Sequence, residues 1–128
     1  MNSNYRAHKK LDVWRESVAL ATYIYQLTEK FPKTEVYGLT AQIRRAVVSV
    51  SSNIAEGAAR FSSKEFGQFL NIAGGSLSEL DTQLEIACNL TYLTVAEKKE
   101  IDAKIDAIAA KLAGLIKHTK QKAAGNGL

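Results

Sequence analysis

The most regular hydrophobic pattern of the chain lies between Ser62 and Thr91. Apolar and small residues recur there at alternating steps of four and three, the spacing of a helix that packs along its whole length against other helices. The positions of this seam are Phe66, Leu70, Ala73, Leu77, Leu80, Leu84, Ala87 and Thr91. Ser62 and Glu65 form a capping-box pair, which marks a helix start. The pattern predicts one long helix over residues 62–92, centred near Ser76 and longer than any other helix of the chain.

Two amphipathic segments precede this helix. The first should run over residues 12–31 and stop before Pro32, because a proline disfavours the helical conformation in the residue before it. The second should run over residues 39–60. Its apolar positions are predicted to face inward and are Leu39, Ile43, Val47, Val50, Ile54 and Phe61.

A fourth helix is predicted over residues 95–120. Thr94 and Glu97 make a second capping box at its start. Its inward positions are predicted to be Ile101, Ile105, Ile108, Leu112 and Leu115. Four such helices with short connections predict an all-α fold, an antiparallel up-down-up-down four-helix bundle.

The length and the rest of the pattern agree with one bundle. A chain of 128 residues is the size of one domain, and no segment alternates with the period of two that is typical of strands. We therefore expect a single domain over residues 1–128, with flexible N-terminal and C-terminal ends.

The outward sides of several helices are poor in polar residues. Small residues repeat at steps of four, three and four on the fourth helix, and three large apolar residues of the third helix lie away from its seam. These positions are Ala103, Ala107, Ala110, Gly114, Ile72, Ile86 and Leu90. A helix with little solvated surface is usually covered on both sides, although alanine also favours helices for its own sake. We interpret these positions as the interface of a homo-oligomer.

Gly74 and Gly75 lie in the middle of the third helix, where each glycine costs about 1 kcal/mol relative to alanine. Two explanations remain open. Either another backbone approaches closely at this pair, which we favour, or the pair permits a bend.

The net charge of +4 is small, but the charges are unevenly distributed along the chain. Arg6, Lys9 and Lys10 lie near the start, and four lysines without any acidic residue follow from Lys111 onward. Between them, residues 61–93 hold one lysine against four acidic residues. Two basic segments thus flank an acidic centre.

The sequence gives no indication of export or of membrane insertion. No apolar run is long enough to span a membrane, and the polar start MNSNYRAHKK lacks the apolar stretch of a signal peptide. The one cysteine, Cys88, cannot form a disulfide within the chain. We expect a cytoplasmic protein with no membrane contact.

Side chains suited to catalysis or metal binding are not grouped in the sequence. Metal-carboxylate bundles carry Glu-x-x-His motifs on their inward faces, but Tyr5 stands three residues before His8, and Leu115 three before His118. No nucleophile and base are paired, and no glycine-rich phosphate loop is present. We expect no metal, no cofactor and no enzymatic activity.

The second helix carries the polar residues that most need an explanation. Asn53 and Glu56 are interpreted as structural polar residues that tie this helix to its neighbours. Arg44, Arg45 and Arg60 either contact phosphates, which arginine binds bidentately, or serve contacts between subunits. A second set of candidates for nucleic-acid binding is Lys9, Lys10, Lys117 and Lys120.

Three segments carry a resemblance to a known family: LDVWRESVALATYIYQLTEKFP, YGLTAQIRRAVVSVSSNIAEGAARFSSKEFGQFL and AGGSLSELDTQLEIA. They resemble the four-helix bundle proteins encoded within intervening sequences of 23S ribosomal RNA genes. The resemblance covers residues 11–93 in order and spacing, whereas the fourth helix matches in pattern alone. The family commonly has proline where this chain has Ser51 and arginine where it has Gly74. Neither a kink in the second helix nor a basic contact at Gly74 therefore carries over.

The same family is similar to the accessory variability determinant proteins of diversity-generating retroelements. The resemblance implies a homopentamer that binds nucleic acid, RNA or DNA, and a reverse transcriptase. The rival hypothesis is a protein-interaction scaffold, for example for a reverse transcriptase, that makes no nucleic-acid contact of its own. The salt dependence of RNA binding separates the two, because phosphate contacts release counterions.

Overall fold

The structure is a computed structural model that describes residues 6–126, apart from the side chain of Asn126. It contains four helices, α1 (Asp12–Thr28), α2 (Leu39–Ala58), α3 (Ser63–Asn89) and α4 (Val95–Asn126), and two short 3-10 helices, Ala7–Lys10 and Lys33–Glu35. No strand occurs between residues 6 and 126. The all-α four-helix fold predicted from the sequence is thus confirmed. None of the helices in this described part is long and apolar enough to cross a membrane.

Neighbouring helices run in opposite directions, and α4 returns to pack beside α1. Side-chain contacts fix their register: Ser49 of α2 with Ser76 of α3 (2.8 Å), Glu85 of α3 with Lys98 of α4 (3.2 Å), and Tyr23 of α1 with Glu100 of α4 (2.9 Å). One end of the bundle therefore holds the start of α1, the end of α2, the start of α3 and the end of α4.

The core lies along α3. Its seam from Leu70 to Ala87 is buried at every predicted position, and the burial of such apolar surface is the main term that stabilises a domain of this kind. The side chains of α2 and α4 that meet the seam are at most 6% exposed: Ile43, Val47, Val50, Ile54, Ile101, Ile105, Ile108 and Leu112. Leu39, Phe66 and Leu115 are partly buried and pack against this core.

The helix α1 ends at Thr28, three residues before the predicted end at Phe31. The Thr28 hydroxyl donates to the carbonyl of Ile24 (2.8 Å), and the chain then turns towards Pro32. Phe31 is nevertheless 6% exposed, because its ring packs against that of Tyr92 with 5.3 Å between the centroids. The prediction that the first helix extends to Phe31 is wrong.

Thr91 was predicted to belong to the seam of α3, and this is wrong. The helix ends at Asn89, and Thr91 is exposed with a left-handed φ of 64°. The amide of Tyr92 donates to the carbonyl of Ala87 (2.9 Å), and that of Thr91 donates to the carbonyl of Cys88 (2.9 Å). This pair of bonds is the common C-terminal motif that usually has glycine at the left-handed position.

Phe61 was predicted to face inward, and this too is wrong. The helix α2 ends at Ala58 rather than at residue 60, so Phe61 lies in the connection to α3 and is 81% exposed.

The longest helix is α4, with 32 residues against 27 in α3, so the prediction that α3 would be the longest is wrong. Past Lys120, α4 continues beside the first turn of α3, where Ala123 lines a hollow with Ser63 and Lys64. One turn earlier, Thr119 is 3% exposed. A Cβ at Gly67 would lie 2.8 Å from the Thr119 hydroxyl oxygen, so glycine is what permits this contact. Of the ends expected to be flexible, residues 1–5 and 127–128 lie outside the described part of the chain.

The close approach of two helices occurs at Gly57, not at the Gly74–Gly75 pair. A Cβ at Gly57 would lie 2.7 Å from the Cβ of Phe69 and 2.9 Å from the Phe66 ring, both on α3. At Gly74 and Gly75, no described atom outside the adjoining residues and backbone of α3 itself lies within 4 Å of the position that a Cβ would occupy. Within the described part of the chain, therefore, no other helix approaches closely at Gly74 and Gly75.

Replacing Gly57 with Ala should lower the free energy of unfolding by about 1 to 3 kcal/mol, the usual cost of overpacking. Replacing Gly74 with Ala is the matched control and should raise it by up to about 1 kcal/mol, because alanine favours a helix interior. Urea unfolding followed by circular dichroism measures both. A Gly57→Ala protein as stable as the parent would contradict the tight contact between α2 and α3.

Candidate nucleic-acid interface

The two basic segments of the sequence meet at one end of the bundle. The antiparallel order brings the start of α1 beside the end of α4, and the 3-10 helix Ala7–Lys10 lies against the last turns of α2, where Arg6, His8 and Lys9 face Ser52 and Glu56 across a shallow hollow. We call residues 6–17, 49–76 and 110–126 the basic end, and residues 18–48 and 77–109 the opposite end.

The fold separates charge along the axis of the bundle. The basic end holds ten lysines and arginines against four acidic residues, and the opposite end holds seven against nine. The basic end therefore carries a net charge of +6 and the opposite end −2, which together give the +4 of the whole chain. Clustering of this kind creates a local positive potential that the modest total conceals.

A hollow of about 320 Å³ lies between the start of α3 and the end of α4. Lys64 and Lys120 stand on its two sides, Gln68 and Asn71 supply amide groups, and no carboxylate is among the residues that line it. Lys117 and Lys122 are exposed on the same last turns of α4. Two lysines with adjacent amides and no competing acid are suited to phosphate oxygens.

Lys9 and Lys10 are exposed on the 3-10 helix, which is fixed to the bundle by its neighbours. The Arg15 guanidinium donates to the backbone carbonyl of Lys9 (2.5 Å), and the His8 ring packs edge-on against Trp14 with 4.7 Å between centroids. These contacts hold the segment in place while the two lysine side chains remain in solvent.

Arg44 is held within the chain. Its Nε donates to the Thr28 hydroxyl (2.9 Å), and its Nη2 donates to the carbonyl of Tyr25 (3.2 Å) and to Glu29 (3.4 Å). The guanidinium also lies 4.5 Å above the Tyr25 ring, a cation–π contact. Arg44 therefore ties the start of α2 to the end of α1, whose last carbonyls need partners.

Arg45 and Arg60 differ from Arg44 and from each other. Arg45 is exposed at the opposite end, and no side chain within residues 6–126 forms an ion pair or hydrogen bond with it. Arg60 lies at the basic end, pairs with Glu56 (3.2 Å) as their spacing predicts, and stacks 4.8 Å over the ring of Phe69. The three arginines are thus not brought together, whereas the second set of candidates, Lys9, Lys10, Lys117 and Lys120, shares the basic end.

Asn53 takes part in a polar link between α2 and α3. The Asn53 side-chain amide donates to the carbonyl (2.8 Å) and hydroxyl (3.0 Å) of Ser49. The Ser49 hydroxyl is in turn hydrogen-bonded to the hydroxyl of Ser76 on α3. Glu56 pairs with Arg60, whose guanidinium stacks on Phe69 of α3.

The candidate interface residues of α3 and α4 are all exposed in the single chain. Ala103, Ala107, Ala110 and Gly114 form an outward stripe on α4, and no described atom outside the adjoining residues and backbone of α4 lies within 4 Å of a Cβ placed on Gly114. On α3, Ile72 is 52%, Ile86 45% and Leu90 47% exposed. These two surfaces are apolar and without a partner in the part of the chain that is described.

At the opposite end, acidic side chains already hold cations of their own. Burial lowers the pKa of Lys98, whereas hydrogen bonds to Asp102 and Glu85 raise it by a larger amount. The pKa of Lys98 therefore lies above the ordinary value of a lysine. The hydrogen bond from Lys30 holds the pKa of Glu97 below its usual range. Over residues 6–126, no three His, Cys, Asp or Glu side chains are placed to bind a metal ion.

Two residues of the basic end were missed by the sequence reasoning, Lys64 and Phe61. Lys64 follows the cap Ser62, and antiparallel topology alone would have placed it beside the end of α4. Phe61 carried no such signal, because its apolar character fitted the inward pattern of α2.

Residues 9–114 match the family model for the 23S rRNA-intervening sequence protein. The chain belongs to this family. It is also similar to the crystal structure of a protein of unknown function from the S23 ribosomal protein family of Bacteroides thetaiotaomicron. That similarity has a TM-score of 0.76 and 26% sequence identity, and it covers 82% of this chain and 98% of the other. No curated protein sequence matches the chain.

Adjacent arginines of this family member should behave differently on removal. Replacing Arg44 with Ala should lower the free energy of unfolding by about 1 to 3 kcal/mol, because charged hydrogen bonds to the end of α1 are lost. Replacing Arg45 with Ala, the matched control, should change it by less than about 0.5 kcal/mol. Urea unfolding compares the two, and equal effects would contradict the anchoring role of Arg44.

Proposed function

We propose that this member of the 23S rRNA-intervening sequence family is a non-enzymatic, cytoplasmic homo-oligomer that binds RNA or DNA through its basic end. The observation that supports the proposal is the concentration of charge: a net +6 at one end of the bundle, contributed by segments at opposite ends of the sequence. Lysine and arginine clusters of this kind bind the phosphate backbone without strong sequence preference. The first candidates are now Lys9, Lys10, Lys64, Lys117 and Lys120, and Arg60 contributes charge beside them.

Assembly strengthens the argument. If the subunits form a ring whose axis is parallel to the bundles, every basic end points to the same side. Five copies, the number that the family resemblance implies, then present about +30 on one rim, enough for a long-range attractive field. The exposed stripe of α4 and the apolar residues Ile72, Ile86 and Leu90 of α3 supply surfaces on which such subunits could meet.

A second candidate function is an adaptor for a protein partner such as a reverse transcriptase. The observation in its favour is the apolar surface of the opposite end, where Tyr37 is 96%, Val95 74% and Val36 51% exposed. This surface lies away from the basic end, so one chain has room for both partners.

The first test removes two exposed lysines from the last turns of α4. The double variant Lys117→Ala, Lys120→Ala should bind RNA and DNA more weakly whatever their sequence. The slope of log affinity against log salt should fall by about 0.7 per lost phosphate contact on a single strand and about 0.9 on duplex DNA, because fewer counterions are released. Fluorescence anisotropy between about 50 and 200 mM salt measures it.

The matched control is the double variant Lys33→Ala, Lys99→Ala, which removes two exposed lysines from the opposite end. It should leave both affinity and slope unchanged. Equal losses in the two variants would contradict binding at the basic end. A pure parent oligomer that retains neither RNA nor DNA at about 50 mM salt would leave the adaptor as the better proposal.

A separate prediction concerns assembly. Replacing Ala107 with Glu should dissociate the oligomer while leaving its helix content intact, because the carboxylate would be buried without a partner in the subunit contact. The same substitution at Ala124, exposed on the last turns of α4, should leave assembly unchanged. Sedimentation velocity measures both. A parent that sediments as a 14.0 kDa monomer at micromolar concentration would rule out the assembly.

A further inference from the structure

Phe61 is an aromatic residue that the fold leaves in solvent at the basic end. It lies in the connection between the end of α2 at Ala58 and the start of α3 at Ser63, and 81% of it is exposed. Because Ser62 is the N-cap of α3, Phe61 stands where an apolar residue usually packs against the residue four positions into the helix, here Phe66. That contact would cover both rings.

This arrangement is not formed, because Phe61 is 81% exposed. Phe66 instead contacts Gly57 of α2, where an added Cβ would lie 2.9 Å from its ring and 3.2 Å from its carbonyl oxygen. Phe61 therefore remains in solvent while Phe66 packs between the two helices.

Cationic residues stand on both sides of Phe61 in the sequence. Glu56 and Glu65 balance their charge locally, while the basic end as a whole carries a net +6. Arg60 precedes it, with its guanidinium stacked on Phe69, and the exposed Lys64 follows on the first turn of α3. Single exposed apolar residues are common on protein surfaces and require no explanation by themselves. An exposed aromatic ring between two cationic side chains is different, because it combines the two features with which proteins bind unpaired nucleotides.

We propose that Phe61 is a stacking platform for an unpaired base, so that the basic end prefers single-stranded nucleic acid to duplex. This inference rests on the proposed function and narrows its substrate class. The base lies on the exposed ring, while the phosphates on either side of it face Lys64 and Arg60. In a duplex, the faces of the bases are covered by their neighbours, so the ring has nothing to stack on and the lysines alone contribute.

The test compares two exposed aromatic residues at opposite ends of the bundle. Phe61→Ala should weaken binding of a labelled oligouridine by about 5- to 150-fold, the range found for the loss of one base–aromatic stack. Its binding to an RNA duplex should stay within about twofold of the parent, and its salt slope should be unchanged, because no charge is removed. Tyr37→Ala, which removes the 96% exposed ring at the opposite end, should bind both probes as the parent does.

Two further variants test stacking itself. Phe61→Tyr keeps an aromatic face and should retain the affinity for oligouridine. The tryptophan fluorescence of Phe61→Trp should be quenched when oligouridine is added. The parent protein, whose one tryptophan is Trp14, gives the change to subtract. Circular dichroism and sedimentation of each variant control for folding and assembly.

The outcomes are distinguishable. If the parent binds oligouridine and Phe61→Ala binds it equally well, the stacking role is overturned while the proposed function stands. If Phe61→Ala alters sedimentation of the oligomer, Phe61 belongs to a subunit contact, and the stacking role is again overturned. If the parent binds neither probe, both proposals fail together.

Discussion

The burial of the α3 seam is the constraint on which the rest of the structure depends. The seam residues from Leu70 to Ala87 recur every three or four positions, so they lie along one side of α3. They are shielded from water only when other helices cover that side along its whole length. With short connections, the chain can do this only by reversing direction at each turn. The antiparallel order of α1 to α4 is thus a consequence of the seam.

That order also creates the charge separation. In the sequence, the basic segments near Lys9 and Lys120 are more than a hundred residues apart, with an acidic stretch between them. Three reversals of direction bring the two basic segments to the same end and leave the acidic residues 79–106 at the other. The pairs at the opposite end, such as Lys98 with Glu85 and Asp102, then neutralise part of their charge locally. The Lys98 side chain is 12% exposed, whereas its partners Glu85 and Asp102 are 63% and 45% exposed, so solvent screens these pairs in part.

Contacts between α2 and α3 decide which surface residues are available. The tight contact at Gly57 engages Phe66 and Phe69, Arg60 stacks on the Phe69 ring, and Phe61 remains in solvent. The Asn53–Ser49–Ser76 link fixes the same pair of helices near their middle. Arg44, which looked like a phosphate ligand, is used to hold the end of α1. The surface that remains basic and open is therefore set by packing and not by the number of arginines in the sequence.

The sequence by itself determined the features that depend on hydrophobic spacing: the existence and order of four helices, the seam of α3, and the inward faces of α2 and α4. It also indicated the family through the segments that carry the resemblance. Period and capping are local properties, so they can be read without knowing what packs where. The ends of the helices were misjudged at Phe31, Phe61 and Thr91: α1 ends at Thr28, well before Pro32, α2 ends at Ala58, and a left-handed turn at Thr91 ends α3. The anchoring of Arg44, the contact of Thr119 with Gly67 and the exposure of Phe61 all required the tertiary structure. Each depends on which residues of distant segments come within a few ångströms of one another, and a one-dimensional pattern carries no information on that distance.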